Sequence, residues 1–165
     1  CRLSAAAHLS EPTDTPADRK PLRVASRPCC PSHFARAADK KAAMARTVTF
    51  APPNALIFIS DASGGIAPEF VPNEPVLSTD TAISVCCLPD MDGQTRITLG
   101  SVADVTLSGD PIFDGILMTP TSAVLVSTCE HETILETVVQ SRETRVRIWT
   151  IRTQEPDEIT IVLGS

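Results

Sequence analysis

Cys129 and His131 stand two residues apart, a spacing that sends both side chains to one face of an extended chain. With Cys86 or Cys87 they would supply three ligands to a zinc ion. Cys86 and Cys87 are neighbours, so in a strand they face opposite sides; one at most joins such a site and the other packs as a small hydrophobe. None of these cysteines has C-x-x-C spacing, and their plainer reading is as reduced thiols of a cytoplasmic protein. Asp90-Met91-Asp92-Gly93 opens like a calcium loop, but the position of the closing Glu is occupied by Ser101, which leaves a solvated turn. Ser63, in Asp61-Ala62-Ser63-Gly64-Gly65, lacks the preceding glycine of a nucleophile elbow, and Gly64-Gly65 lacks the spacing of a phosphate loop. Asp110 and Asp114 are close enough to invite comparison with a hydrolytic carboxylate pair, yet each fits a turn or strand end better. No catalytic residue and no cofactor is expected.

The carboxylates are informative through their sum. Residues 1–43 carry eight Lys/Arg against four Asp/Glu, whereas residues 44–165 carry six against sixteen. A body of that charge repels phosphates and disfavours direct nucleic-acid binding; it favours a basic protein partner. The residues expected to meet that partner are the acids of the turns: Asp90, Asp92, Asp110, Asp114, Glu155, Asp157 and Glu158.

These side chains need elements to hold them. Residues 1–43 contain few large apolar side chains and scattered prolines (Pro12, Pro16, Pro21, Pro28, Pro31), so they read as a disordered or non-native leader. From Arg46 onward, β-branched residues recur in short runs bounded by Pro, Gly, Asp and Ser, with no 3.6-residue stripe. Strands are expected over 47–50, 55–60, 82–88, 95–99, 103–107, 112–118, 123–128, 134–139, 144–151 and 158–163. Ten short strands predict an all-β fold, an antiparallel two-sheet sandwich over 44–165. Residues 89–93 and 108–111 are expected to act as hairpin turns, and Pro156 to sit in the turn between the last two strands. In 144–151, Val146, Ile148 and Thr150 alternate with Arg145, Arg147, Trp149 and Ile151, giving one core face and one on which Trp149 packs beneath an arginine stem. The longest apolar run is 55–59, far short of a membrane span.

Taken in order, Thr47-Val48-Thr49-Phe50, Leu56-Ile57-Phe58-Ile59-Ser60, Thr81-Ala82-Ile83-Ser84-Val85, Phe113-Asp114-Gly115-Ile116-Leu117, Ala123-Val124-Leu125-Val126-Ser127 and Thr144-Arg145-Val146-Arg147-Ile148-Trp149-Thr150 resemble the competence protein J family. These are small β-sandwich proteins that inhibit a DNA-degrading nuclease. The resemblance implies a stoichiometric inhibitor or immunity-type module and carries over no functional residue. Acidic mimicry of nucleic acid would be its mechanism, with turn carboxylates at one end of the sandwich filling a basic groove. Two other classes stay open: a small metal-dependent or hydrolytic enzyme on a sandwich, and a structural sandwich that forms a homo-oligomer through a strand edge.

Overall fold

The computed structural model describes residues 44–164; the expectation for a leader over 1–43 lies outside them. Ten strands form two sheets: β1 (Arg46–Phe50), β2 (Leu56–Asp61), β3 (Val76–Ser78), β4 (Ala82–Cys86), β5 (Thr95–Ser101), β6 (Phe113–Met118), β7 (Ala123–Thr128), β8 (Thr133–Val138), β9 (Glu143–Thr150) and β10 (Glu158–Gly164). The first sheet has the order β1-β5-β10-β9-β6 and the second β3-β4-β2-β7-β8. No α-helix occurs among the described residues, and none of their helices is long and apolar enough to cross a membrane.

Period-two alternation drives the assembly. Along β2, Ile57 and Ile59 are fully buried while Leu56, Phe58 and Ser60 point to the other face; β9 repeats the pattern with Val146 and Ile148 inward. The core between the sheets is built mainly of β-branched residues, among them Ile83, Val85, Ile97, Val124, Val126, Ile159 and Ile161. Burying each such side chain contributes about 1.5–3 kcal/mol before chain entropy is set against it.

Every pairing but one is antiparallel. The exception is β5 with β10, parallel from Arg96 opposite Glu158 to Ser101 opposite Leu163. That places β10 at the centre of the first sheet, where Ile159, Ile161, Val162 and Leu163 are all buried. Val162 is covered from outside the sandwich. The connection between β5 and β6 crosses that outer face, and a Cβ on Gly100 would fall 2.9 Å from Val105 Cγ2. Its far end is fixed by the Trp149 indole N–H, which donates to the Gly109 carbonyl at 3.1 Å.

This crossing corrects the expected strand at 103–107. Val105 and Leu107 are half-buried at a period of two, but Val105 packs over Gly100 on the sheet's outer face, and their backbone pairs with no strand. Residues 108–111 are therefore the end of that crossing and not a hairpin turn. Residues 89–93 also fail as a hairpin turn, because they join β4 of the second sheet to β5 of the first. A strand unforeseen from the sequence, β3, pairs with β4 after a long connection of residues 62–75. Gly65 belongs to that connection and approaches the Thr81 carbonyl so closely that a Cβ would sit 2.1 Å from its oxygen. The β9–β10 turn carries Pro156 as expected, and Arg147 lies 5.8 Å above the Trp149 ring.

Candidate functional site

Strand register gathers several connections at one end of the sandwich. The starts of β5, β10 and β6 lie beside the end of β9: Arg96 is opposite Glu158, Ile159 opposite Thr150, and Phe113 opposite Ile148. The connection carrying Asp90 and Asp92 enters β5 there, and the turn carrying Glu155, Asp157 and Glu158 enters β10. Main-chain bonds fasten the two. Leu88 N–H donates to the Pro156 carbonyl at 3.0 Å and Arg96 N–H to the Asp157 carbonyl at 2.8 Å. The fully buried Thr95 hydroxyl accepts from Leu88 N–H at 3.3 Å and lies 3.4 Å from the Pro156 carbonyl, to which it donates.

Asp110 approaches the same end, just ahead of β6, and is exposed. Asp114 does not belong with it. It lies within β6, on the outer face of the first sheet, where Arg145 Nε and Nη2 each donate to its carboxylate at 2.7 Å. Those bonds hold the Asp114 carboxyl below its ordinary value and raise the Arg145 guanidinium. The expectation of a free turn carboxylate at Asp114 is thus corrected: strand alternation turns it outward beside β9, where an arginine meets it. Asp157 has a looser partner, Arg152 Nη2 at 3.4 Å.

Two further acids reach this end that charge inspection alone passed over. Glu130 and Glu132 flank His131 in the β7–β8 turn, whose Thr128 lies opposite Ile57 at the start of β2. Their turn is built by Thr128, whose hydroxyl accepts from the Glu130 and Glu132 N–H groups at 3.2 and 3.1 Å. The available signal was the sequence Thr-Cys-Glu-His-Glu-Thr between two apolar runs, which reads as an acidic turn once the strands on either side are paired.

The same turn dismantles the proposed zinc ligand set. His131 adopts a left-handed backbone (φ 64°) and is exposed, so Cys129 and His131 are not on one face of an extended segment. Cys129 Sγ instead accepts from Asn54 Nδ2 at 2.9 Å. Cys87 is in the core, and burial with the neighbouring Cys86 pushes its thiol up to about 12. Cys86 faces outward as expected of its neighbour, into a shallow groove shared with Leu56, Phe58, Phe70 and Leu77. Among the described residues no three His, Cys, Asp or Glu side chains are grouped to hold a metal ion.

At the opposite end lies the best-satisfied carboxylate of the described chain. Asp61 is buried, and its Oδ2 accepts from Ser63 N–H at 2.8 Å and from the Ser63 hydroxyl at 2.5 Å. Its Oδ1 accepts from Thr121 N–H at 3.0 Å and the Thr121 hydroxyl at 2.8 Å. Burial alone would raise this carboxyl, but the four bonds outweigh it and lower it. Ser63 is therefore a tethered loop residue, and Asp61 joins the end of β2 to the β6–β7 turn as a structural group.

No protein-family model matches the chain, and no curated protein matches it. A solved structure does show the fold elsewhere. The crystal structure of ComJ from Bacillus subtilis, an inhibitor of the DNA-degrading activity of NucA, superposes with a TM-score of 0.56 at 9% sequence identity, covering 73% of this chain and 95% of that one. A second similar structure, described as crocagin biosynthetic gene J, has a TM-score of 0.39 at 13% identity and covers 72% of this chain and 95% of that one. The chain shares the fold of a nuclease inhibitor.

Proposed function

We propose that the protein is a small acidic binding module that inhibits a basic, DNA-degrading nuclease by stoichiometric occlusion, acting by binding and not by catalysis. The observation that carries this reading is the convergence of the acidic connections at one end of the sandwich, with Asp90 and Asp92 fastened beside Glu155, Asp157 and Glu158 through Thr95 and Pro156. The fold it shares with ComJ supports the same class of role. Main-chain bonds hold the connections that carry these carboxylates, so little backbone ordering remains to be done when a basic groove closes over them. Their summed field accelerates encounter with a cationic surface and turns nucleic acid away. Reduced thiols at Cys86, Cys87 and Cys129 suit the cytoplasm as the place where this happens.

The direct test is titration of the full chain into DNA-degradation assays with purified basic nucleases. Activity is expected to fall linearly to a plateau at one inhibitor per enzyme for at least one of them. Degradation unaffected at a large excess of the chain across basic nucleases from the same cell would refute the role.

A further inference from the structure

Three of the four sheet edges are guarded. β3 is only three residues long. β1 and β8 are tied together where Arg46 Nη1 donates to the Glu136 carbonyl at 3.2 Å, and a bulge at Val126/Ser127 interrupts the β7–β8 ladder. The fourth, β6, pairs only with β9 among the described residues and exposes Ile112, Ile116 and Met118.

The hydrogen-bond phase of β6 is fixed by its end. Thr119 N–H donates to the Arg142 carbonyl at 2.7 Å, continuing the register in which Met118 is opposite Glu143. Within β6 the odd-numbered residues therefore bond to β9, as does the Ile112 N–H just ahead of it, to the Ile148 carbonyl at 2.8 Å, while Asp114, Ile116 and Met118 turn their main-chain groups to the open edge. Met118 N–H is taken by the Asp80 carbonyl at 2.8 Å. Asp114 and Ile116 are left with N–H groups that have no partner among the described residues.

From this edge we infer that β6 is a self-association strand whose occupant is the β6 of a second copy of the chain, related by a twofold axis through Gly115. With Asp114 of one copy opposite Ile116 of the other, both free N–H groups in each copy find a carbonyl. Sliding the strands by two residues would set the Asp114 carbonyl opposite the Met118 N–H, which Asp80 already holds, and leave that acceptor unpaired. The charges are self-complementary in the same register. Arg145 is opposite Ile116 in its own sheet, so it stands in line with Asp114 of the second copy while remaining diagonal to its own Asp114. Two arginines and two aspartates then surround the axis. At the axis itself residue 115 of each copy is glycine and brings no side chain; its own Phe113 ring fills the space, where a Cβ would fall 2.6 Å from Cζ. Asp80 ends the ladder at Met118, so the interface is short and the dimer is a weak one that fills at high concentration. This inference does not depend on the inhibitor role.

Sedimentation velocity and amide exchange of the full chain, from roughly 10 μM to 1 mM, test it in the range expected of an interface under about 1,000 Å². The expected result is a monomer–dimer equilibrium in which exchange at the Asp114 and Ile116 amides slows as dimer forms. Ile116→Lys should weaken self-association at least tenfold with an unchanged melting temperature. A monomer at every concentration, or a dimer that forms without slowing these two amides, would overturn the inference; the exchange measurement needs no variant and stands even if Ile116→Lys does not fold. Amides protected equally at all concentrations would also overturn it, because another segment of the same chain would then cover the edge.

Discussion

Replacing Asp61 by Ala should destabilise the sandwich by about 2–4 kcal/mol, a large share of the 5–15 kcal/mol typical of a domain. The carboxylate accepts four hydrogen bonds and is itself buried. Bonds to a charged acceptor contribute about 1.5–3 kcal/mol each when their donors have nowhere else to turn. Here Ser63 and Thr121 are exposed residues whose donors can return to water, so the sum falls well below four such bonds. Asp61→Asn should lose about half as much, since one oxygen keeps its pair of donors and the new amide opposes the other. The pH dependence gives an independent reading. A carboxyl lowered in the folded state stabilises it fully above its unfolded value near 3.8, and this contribution is lost as pH falls through the lower folded value. Urea unfolding at pH 7 and along a series descending below pH 4 would measure both. A loss under about 0.5 kcal/mol for Asp61→Ala, or an acid limb identical in wild type and Asp61→Asn, would refute the assignment of Asp61 as the bond between β2 and the β6–β7 turn.

Cys87 governs the alkaline side: its thiol is raised from 9.0 to about 12, so its contribution is present below pH 9 and is lost as pH rises toward that value, by up to about 1.4 kcal/mol per pH unit. Unfolding of Cys87→Ala should show a flatter alkaline limb than wild type, although the variant starts lower because a core atom is gone. Gly65→Ala should cost about 1–3 kcal/mol, because its Cβ would collide with the Thr81 carbonyl, while Gly164→Ala, whose nearest neighbour is 3.9 Å away, should be close to neutral in the same denaturation assay.

Most strands were legible because one-face burial imposes a period of two, and β2, β7 and β9 show it plainly. The same signal misled at 103–107, where Val105 and Leu107 alternate but Val105 covers the outside of a sheet at Gly100 and the backbone joins no ladder. β3 went unseen because three residues, Val76–Ser78, are too few to display a period. The parallel pairing of β5 with β10 joins segments some sixty residues apart and has no local signature, though the buried run of β10 is what a central strand requires. Asp61 was passed over for a related reason: its partner Thr121 lies sixty residues further along the chain, and without it the carboxylate reads as a loop residue. The acidic turns were visible as charge. Their common location was set by register, which admitted Glu130 and Glu132 and withdrew Asp114 to Arg145.

The central claim is that the acidic end is the inhibitory surface, and the rate of association with the inhibited nuclease at several salt concentrations tests it most directly. Steering acts over a Debye length of about 8–10 Å at moderate ionic strength, so the on-rate should fall steeply with salt while the off-rate changes little. Neutralising Asp90, Asp92, Glu155, Asp157 and Glu158 together should slow association at least tenfold and flatten that dependence, with the melting temperature preserved. An on-rate insensitive both to salt and to these five substitutions would contradict the account.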